Sequence, residues 1–286
     1  MVEIIFLGTG GGRLNLIRQV RATGGFIIRG GEGSGVQIHV DPGPGALVRA
    51  YQYKCDPTKT DVIIVTHAHL DHCADVEVLL EAMSVPKQRA HGLLLGSRNA
   101  IAGSSRRAIP EGDSIAGSSR RAIPEGDSIH GNGRFEPIIS EYFRKKAERV
   151  EALGWGETMK LPGNAKIHGV KALHEEDSCF GFVLELDGKR IGYTSDTQYL
   201  REHETDYKGV DCLILNCLKP EGEAIPGHMD TGMAEKIIGG AKPKLAVLSH
   251  LGLRMSRGRA AQDANQLAER TGVKVIAAYD GLKLDI

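Results

Sequence analysis

The stretch that most constrains this chain of 286 residues runs from Asp61 to Met83, DVIIVTHAHLDHCADVEVLLEAM. Its opening, Val62 to Val65, is an unbroken β-branched run, which predicts a buried strand. Its close sets Val76, Leu79, Leu80 and Met83 at three- and four-residue spacing, one face of a helix. Between them, Thr66-His67-Ala68-His69-Leu70-Asp71-His72 crowds three imidazoles and a carboxylate onto a strand-to-helix turn. Such a cluster repels itself on protonation and leaves polar nitrogens to satisfy near the core edge. A divalent cation removes both costs, because neutral imidazole nitrogens and carboxylate oxygens are good zinc ligands. In extended chain His67 and His69 point the same way and can grip one ion, while Asp71 and His72, at the turn, can face a second.

Composition excludes some function classes. Lys plus Arg and Asp plus Glu are 36 each, so no global field favours nucleic acid or an anionic membrane. The five cysteines, Cys55, Cys73, Cys179, Cys212 and Cys217, are an odd number without a C-x-x-C pair, which fits a reducing compartment. The short apolar run Ile4 to Leu7 lacks the form of a signal peptide, and no stretch has the length of a membrane span. The expected location is the cytoplasm, with no membrane partner.

Val2 to Leu7 reads as a strand leading into Gly8-Thr9-Gly10-Gly11-Gly12. The dinucleotide order Gly-x-Gly-x-x-Gly fails at Arg13, and no Lys-Ser/Thr follows, so the loop reads as a tight turn needing positive φ. Strands are expected over 25–29 and 36–40, then the turn Asp41-Pro42-Gly43-Pro44-Gly45 and a helix from Ala46 to Tyr53. Residues 84–137 stand apart: Ile101 to Ser114, IAGSSRRAIPEGDS, is repeated letter for letter by Ile115 to Ser128. Rich in Gly, Ser and Arg, the tandem copy at 101–128 reads as an insertion forming a surface loop. An amphipathic helix is expected from Ile138 to Leu153, carrying Ile139, Tyr142, Phe143, Val150 and Leu153 on one side. The pattern then turns to β, with Asp187-Gly188 a strong hairpin signal. A strand from Cys212, a helix from Thr231, a strand from Leu245, a helix from Ala260 and a strand from Val273 complete the chain. No linker interrupts it, and 1–286 reads as a single domain.

His-x-His-x-Asp-His after an apolar strand resembles the signature of the metallo-β-lactamase superfamily, and the resemblance extends over essentially the whole chain. It implies an α/β fold of the αββα kind, two mixed β-sheets flanked by helices. It also supplies further ligands at strand ends: His174 after Leu173, Asp196 after Tyr193-Thr194-Ser195, and His250 after Val247-Leu248-Ser249. Carried over, His67, His69 and His174 hold one ion, Asp71, His72 and His250 the other, and Asp196 bridges. Asp41 is a candidate to steady an imidazole from behind. His39, His91, His130, His168 and His203 match nothing and read as ordinary residues.

The diiron members of the superfamily carry Glu where His69 stands, so two zinc ions are implied, with manganese as an alternative. Two such ions activate water near neutral pH and stabilise a developing oxyanion, which is hydrolysis. Gly227-His228-Met229-Asp230-Thr231 resembles the His-containing loop of tRNA 3′-processing endonucleases and related phosphodiesterases, and Tyr279-Asp280-Gly281-Leu282 is similar to that branch. The implied activity is a phosphodiesterase, with His228 helping the leaving oxygen depart and Asp71 as the other catalytic residue. Arg13, Arg254 and Arg257 are candidates to hold an anionic small-molecule or nucleotide substrate. The tRNA-processing enzymes commonly insert an arm between the third His and the bridging Asp. Here only a hairpin separates His174 from Asp196, so tRNA is not favoured. Lactone, ester or thioester hydrolysis and a regulatory metal-binding role stay open, as does the oligomeric state, a homodimer included.

Overall fold

The run Val62–Val65 is a strand with all four residues buried, because alternate side chains enter two different cores. The structure, a computed structural model, describes residues 1–31, 33–103 and 137–286. Among these residues the chain runs β1 (Val2–Phe6), α1 (Arg13–Arg18), β2 (Phe26–Gly30), β3 (Gln37–Val40), α2 (Ala46–Gln52), β4 (Val62–Val65), α3 (Leu70–Cys73), α4 (Val76–Ser84), β5 (Leu93–Gly96), α5 (Arg98–Ala102), α6 (Glu141–Arg144) and β6 (Arg149–Ala152). It continues with β7 (Thr158–Lys160), β8 (Lys166–Lys171), β9 (Phe180–Leu186), β10 (Lys189–Tyr193), α7 (His203–Asp206), β11 (Cys212–Lys219), β12 (Met229–Asp230), α8 (Thr231–Ala241), β13 (Leu245–Ser249), α9 (Arg259–Thr271), β14 (Lys274–Ala277) and β15 (Lys283–Asp285). No described helix is long and apolar enough to cross a membrane.

Two mixed sheets result. One has the order β15-β1-β2-β3-β4-β5-β6, the other β14-β13-β11-β10-β9-β8-β7 with β12 beside β11. In the first sheet, β1 to β3 pair antiparallel and β3 to β6 parallel. In the second, β7 to β10 are antiparallel, and β10, β11, β13 and β14 are parallel. Ile4, Ile38 and Ile64 of one sheet and Phe182, Leu184 and Ile214 of the other share the central core. On the outer faces, α4 sets Val76, Leu79, Leu80 and Met83 against Ile63, Val65 and Leu94. Helices α8 and α9 cover Leu213, Leu215, Ala246 and Leu248 with Ile237, Ile238, Ala264 and Leu267. This is the expected αββα sandwich. Ile64→Ala empties a fully buried site in the central core. It is expected to cost about 2–5 kcal/mol, read as a lower denaturant midpoint at unchanged slope.

The Asp187-Gly188 hairpin forms as expected. Leu186 pairs with Lys189 across it, and both turn residues have positive φ, 48° and 75°. The helix expected from Ile138 to Leu153 does not form. Only Glu141–Arg144 is helical, and Arg149–Ala152 is strand β6, with Val150 opposite Leu94. The apolar spacing there suits burial in either conformation, and Ile139 and Leu153 are indeed buried. What decides is the open parallel edge of β5: Arg149 N donates to Gly92 O and Leu153 N to Gly96 O. Strand β5 and helix α5 arise within the stretch 84–137. Of the tandem copy, Ile101 and Ala102 close α5 and Gly103 follows, while residues 104–128 lie outside the described residues.

The chain's last strand returns to its first. β15 pairs antiparallel with β1, and Asp280 accepts hydrogen bonds from Thr9 N (2.9 Å), Thr9 Oγ1 (2.7 Å) and Ala22 N (2.8 Å). The carboxylate thereby ties down both ends of the glycine loop and α1.

Candidate metal centre

One end of the sandwich collects the chemistry-bearing residues. Asp41 follows β3, Thr66 to His72 follow β4, His174 follows β8, Asp196 follows β10 and His250 follows β13. Each is a carboxyl end of a strand, where backbone leaving the sheet can aim side chains into a shared crevice. The departures are sharp: Asp41, Ser195 and His250 have φ of 49°, 54° and 54°, conformations a non-glycine residue keeps only when its surroundings enforce them.

All seven expected ligands meet there. His67 Nε2 and His174 Nε2 each lie 3.2 Å from His69 Nδ1. His72 Nε2 is 3.1 Å from His250 Nε2, which is 3.3 Å from Asp71 Oδ2. A single oxygen, Asp196 Oδ2, is 3.4 Å from both of those nitrogens and 3.8 Å from His67 Nε2. The donor atoms fall into the groups His67-His69-His174-Asp196 and Asp71-His72-His250.

The tautomers show that these groups suit a cation. His72 Nδ1 lies 2.9 Å from Asp41 Oδ2 and His174 Nδ1 2.9 Å from Gly227 O, so both nitrogens are donors. His69 Nε2 is 3.0 Å from Glu175 Oε1 and donates likewise. In the neutral rings, His69 Nδ1 and His174 Nε2 then face each other as lone pairs, which repel unless a cation lies between. A tetrahedral ion with bonds of about 2.05 Å sets its ligand atoms about 3.3 Å apart, the spacing observed.

The electrostatics agree. Burial lowers His67 and His69, His67 helped by His72 and His69 by His174, so both stay in the neutral form a ligand needs. Burial opposes the Asp71 and Asp196 carboxylates, yet their imidazole neighbours prevail and hold both well below the usual range. Burial also opposes charge on His72, but Asp196, Asp41 and Asp71 raise it well above an ordinary histidine. This crevice draws in positive charge, whether as a proton or as a metal.

Asp41 sits behind His72. It also accepts from Thr66 N (2.7 Å), Thr66 Oγ1 (2.8 Å) and Tyr193 OH (2.8 Å). His228 stands on a loop before α8, with Nδ1 3.4 Å from Asp196 Oδ2, and groups with Asp196 and His250. Burial brings its pKa down to about 4 against the pull of Asp196. The arginines are exposed: Arg13 is 4.0 Å from Glu175, which contacts His69, Arg254 is paired with Glu223 at 2.6 Å, and Arg257 makes no ion pair among the described residues. Of the remaining histidines, His39 bonds Gly24 O and His203 bonds Lys171 O, both within the fold, and His130 lies outside the described residues.

Sequence reasoning passed over several supports. Glu176 accepts from Ala68 N, between His67 and His69, and from Ser97 Oγ and Ser178 Oγ at 2.6–2.8 Å. Its place two residues after His174 is its signal in the sequence. Gly12 has the positive φ expected of the loop, but Gly11 is required by space, since a Cβ there would stand 2.2 Å from the His250 ring. Gly11→Ala is therefore expected to shift His250 and weaken binding of a divalent metal about tenfold or more, with the fold kept. Zinc titration beside a thermal melt checks it.

Comparison with known proteins places this geometry. The family model for the beta-lactamase superfamily domain matches residues 37–251. The uncharacterized protein MJ1374 of Methanocaldococcus jannaschii is 33% identical, over 100% of this chain and 95% of its own. Ribonuclease Z of Saccharolobus solfataricus is 25% identical over 88% of this chain and 89% of its own. Among solved structures, the metallo-beta-lactamase fold protein YhfI from Bacillus subtilis superimposes with a TM-score of 0.72 at 19% identity, covering 99% of this chain and 98% of that one. Since the family match runs from β3 through His250 and so takes in every strand end that carries a donor, the chain belongs to the metallo-β-lactamase superfamily of hydrolases.

Proposed function

We propose that this hydrolase is a dinuclear phosphodiesterase acting on an anionic, nucleotide-like substrate, with zinc, or manganese in its place, as the metal. The observation that carries the reading is Asp196 Oδ2, one oxygen within 3.4–3.8 Å of nitrogens from both ligand groups. His67, His69 and His174 would hold one ion, Asp71, His72 and His250 the other, and Asp196 both. Bound there, two divalent ions would supply Lewis-acid stabilisation of the phosphoryl oxygens and a water acidified toward neutral pH. The likeness to a ribonuclease over most of both chains supports a phosphodiester over a lactone or thioester.

The chain's own residues supply the rest. Asp71, which accepts from Gly12 N at 3.0 Å, orients the attacking water as well as serving as ligand. His228 starts neutral, takes up the proton freed as water attacks phosphorus, and passes it to the leaving oxygen. Arg13, Arg254 and Arg257, all exposed, are the residues that would meet an anionic substrate. Residues 174–196 form only the turn after β8 and the β9–β10 hairpin, with no arm to grip a tRNA, which supports a smaller substrate. The five buried free thiols fit a cytoplasmic location.

The test is a turnover screen of zinc- or manganese-loaded protein against phosphodiester, lactone and thioester substrates. Phosphodiester turnover alone supports the reading. Lactone or thioester turnover alone would replace it, and no turnover anywhere would point to a binding role.

A further inference from the structure

Behind the donors runs a buried hydrogen-bond chain. Asn216, on β11 in the middle of the second sheet, donates from Nδ2 to Asp196 Oδ1 (2.7 Å) and to Tyr193 OH (3.0 Å). Tyr193 OH donates onward to Asp41 Oδ2 at 2.8 Å, and Asp41 holds His72 Nδ1. The polarity of this chain is fixed. Asp41 has only acceptor oxygens, so the tyrosine hydroxyl must point to it and must itself accept from Asn216. The asparagine amide is therefore turned so that its second N–H can go only to Asp196. Asn216, Tyr193, Asp41 and Asp196 are each at most 4% exposed, so water does not compete for these bonds.

The consequence falls on Asp196. A free carboxylate can chelate one ion through both oxygens or bridge two, and the choice is set by what holds it. Here Oδ1 is occupied by Asn216 and faces away, while Oδ2 alone is turned to His67, His72 and His250. We propose that Asn216 and Tyr193 are positioning residues that compel Asp196 to bridge two ions through a single oxygen, and that tie this bridge to the orientation of His72. Without the amide, Asp196 would be free to turn and offer both oxygens to one ion, and the other would lose a ligand. This rests on the two-ion reading above, and it accounts for a buried polar residue in a strand otherwise apolar up to its closing lysine, CLILNCLK.

The test is stepwise zinc binding by chelator competition in wild type, Asn216→Ala, Asn216→Asp and Tyr193→Phe, each with a thermal melt of the metal-free protein. Asn216→Asp keeps the volume and places like charge on Asp196, so it serves if the alanine variant folds poorly. Expected in both Asn216 variants is one ion held within about threefold of wild type and the other weakened about 10–100-fold, the scale of losses behind a ligand. Tyr193→Phe should show the same asymmetry to a lesser degree. In manganese-loaded protein, the spin coupling between two ions should weaken in the Asn216 variants even at saturating metal. Equal loss of both ions would make Asn216 a general scaffold and overturn the proposal, as would unchanged affinities. A wild type that holds one ion would overturn the two-ion reading and this inference with it, whereas two ions in wild type with no asymmetry in the variants would overturn this inference alone.

Discussion

Asp196→Ala is expected to abolish tight binding of both metals and to lower kcat/KM by on the order of 10³-fold or more. The magnitude follows from what is removed. A single oxyanion donor is worth about 10²–10³ in rate, and in the proposed site Asp196 would serve two ions rather than act as one donor. One further change adds to the loss: Asn216 Nδ2 is left a buried donor without its carboxylate. Elemental analysis of protein loaded with zinc and then desalted measures the first part, and turnover on the substrate selected by screening measures the second. One tightly held ion, retained unchanged in the variant, would remove Asp196 from the bridge.

His228→Ala is expected to slow turnover by about 10²–10⁴ while leaving both ions bound. Because His228 Nδ1 stands 3.4 Å from the Asp196 oxygen, metal content is the first result to read. Lost metal would make His228 a ligand. With metal retained, the leaving group distinguishes the roles. A nitrophenolate departs with little need of a proton, so the defect should shrink on it and grow on an alkoxide. Equal defects on the two would count against proton transfer by His228, and an unaffected kcat would leave it a loop residue.

Much of the frame was legible because it depends on local pattern. The four β-branched residues Val62–Val65 could only be buried, and the alternation of their side chains between two cores explains why the run shows no polar face. Asp187-Gly188 specifies its turn from two residues alone. The donors are legible because each follows the end of a strand, and the family resemblance supplies their order. The segment after Ile138 was misread since Ile139, Phe143, Val150 and Leu153 satisfy helical spacing, while the partner that makes Arg149–Ala152 a strand is β5, far off in sequence. Asn216, Glu176 and Gly11 share that difficulty. An asparagine in an apolar strand, a second glutamate after a histidine and one glycine among five residues acquire meaning only from the atoms that the fold brings to them. The arginines are the reverse case, since their positions are easy to name in the sequence and the structure leaves Arg254 already paired with Glu223.

The clasp formed by Asp280 also bears on how the molecule comes into being. Thr9 and Asp280 are 271 positions apart, and contacts of such separation close late, after shorter loops have paid their entropy. Until the tail arrives, β1 is an open edge and Thr9 lacks the carboxylate that takes up its amide and hydroxyl. On a ribosome, His67 to His72 emerge long before His250 and Asp280, so the nascent chain carries half a chelating crevice with no second wall. Closure of the sheet edge by β15 and closure of the Thr9–Asp280 clasp are then one event. A chain released a few residues short of Asp280 would lack both together.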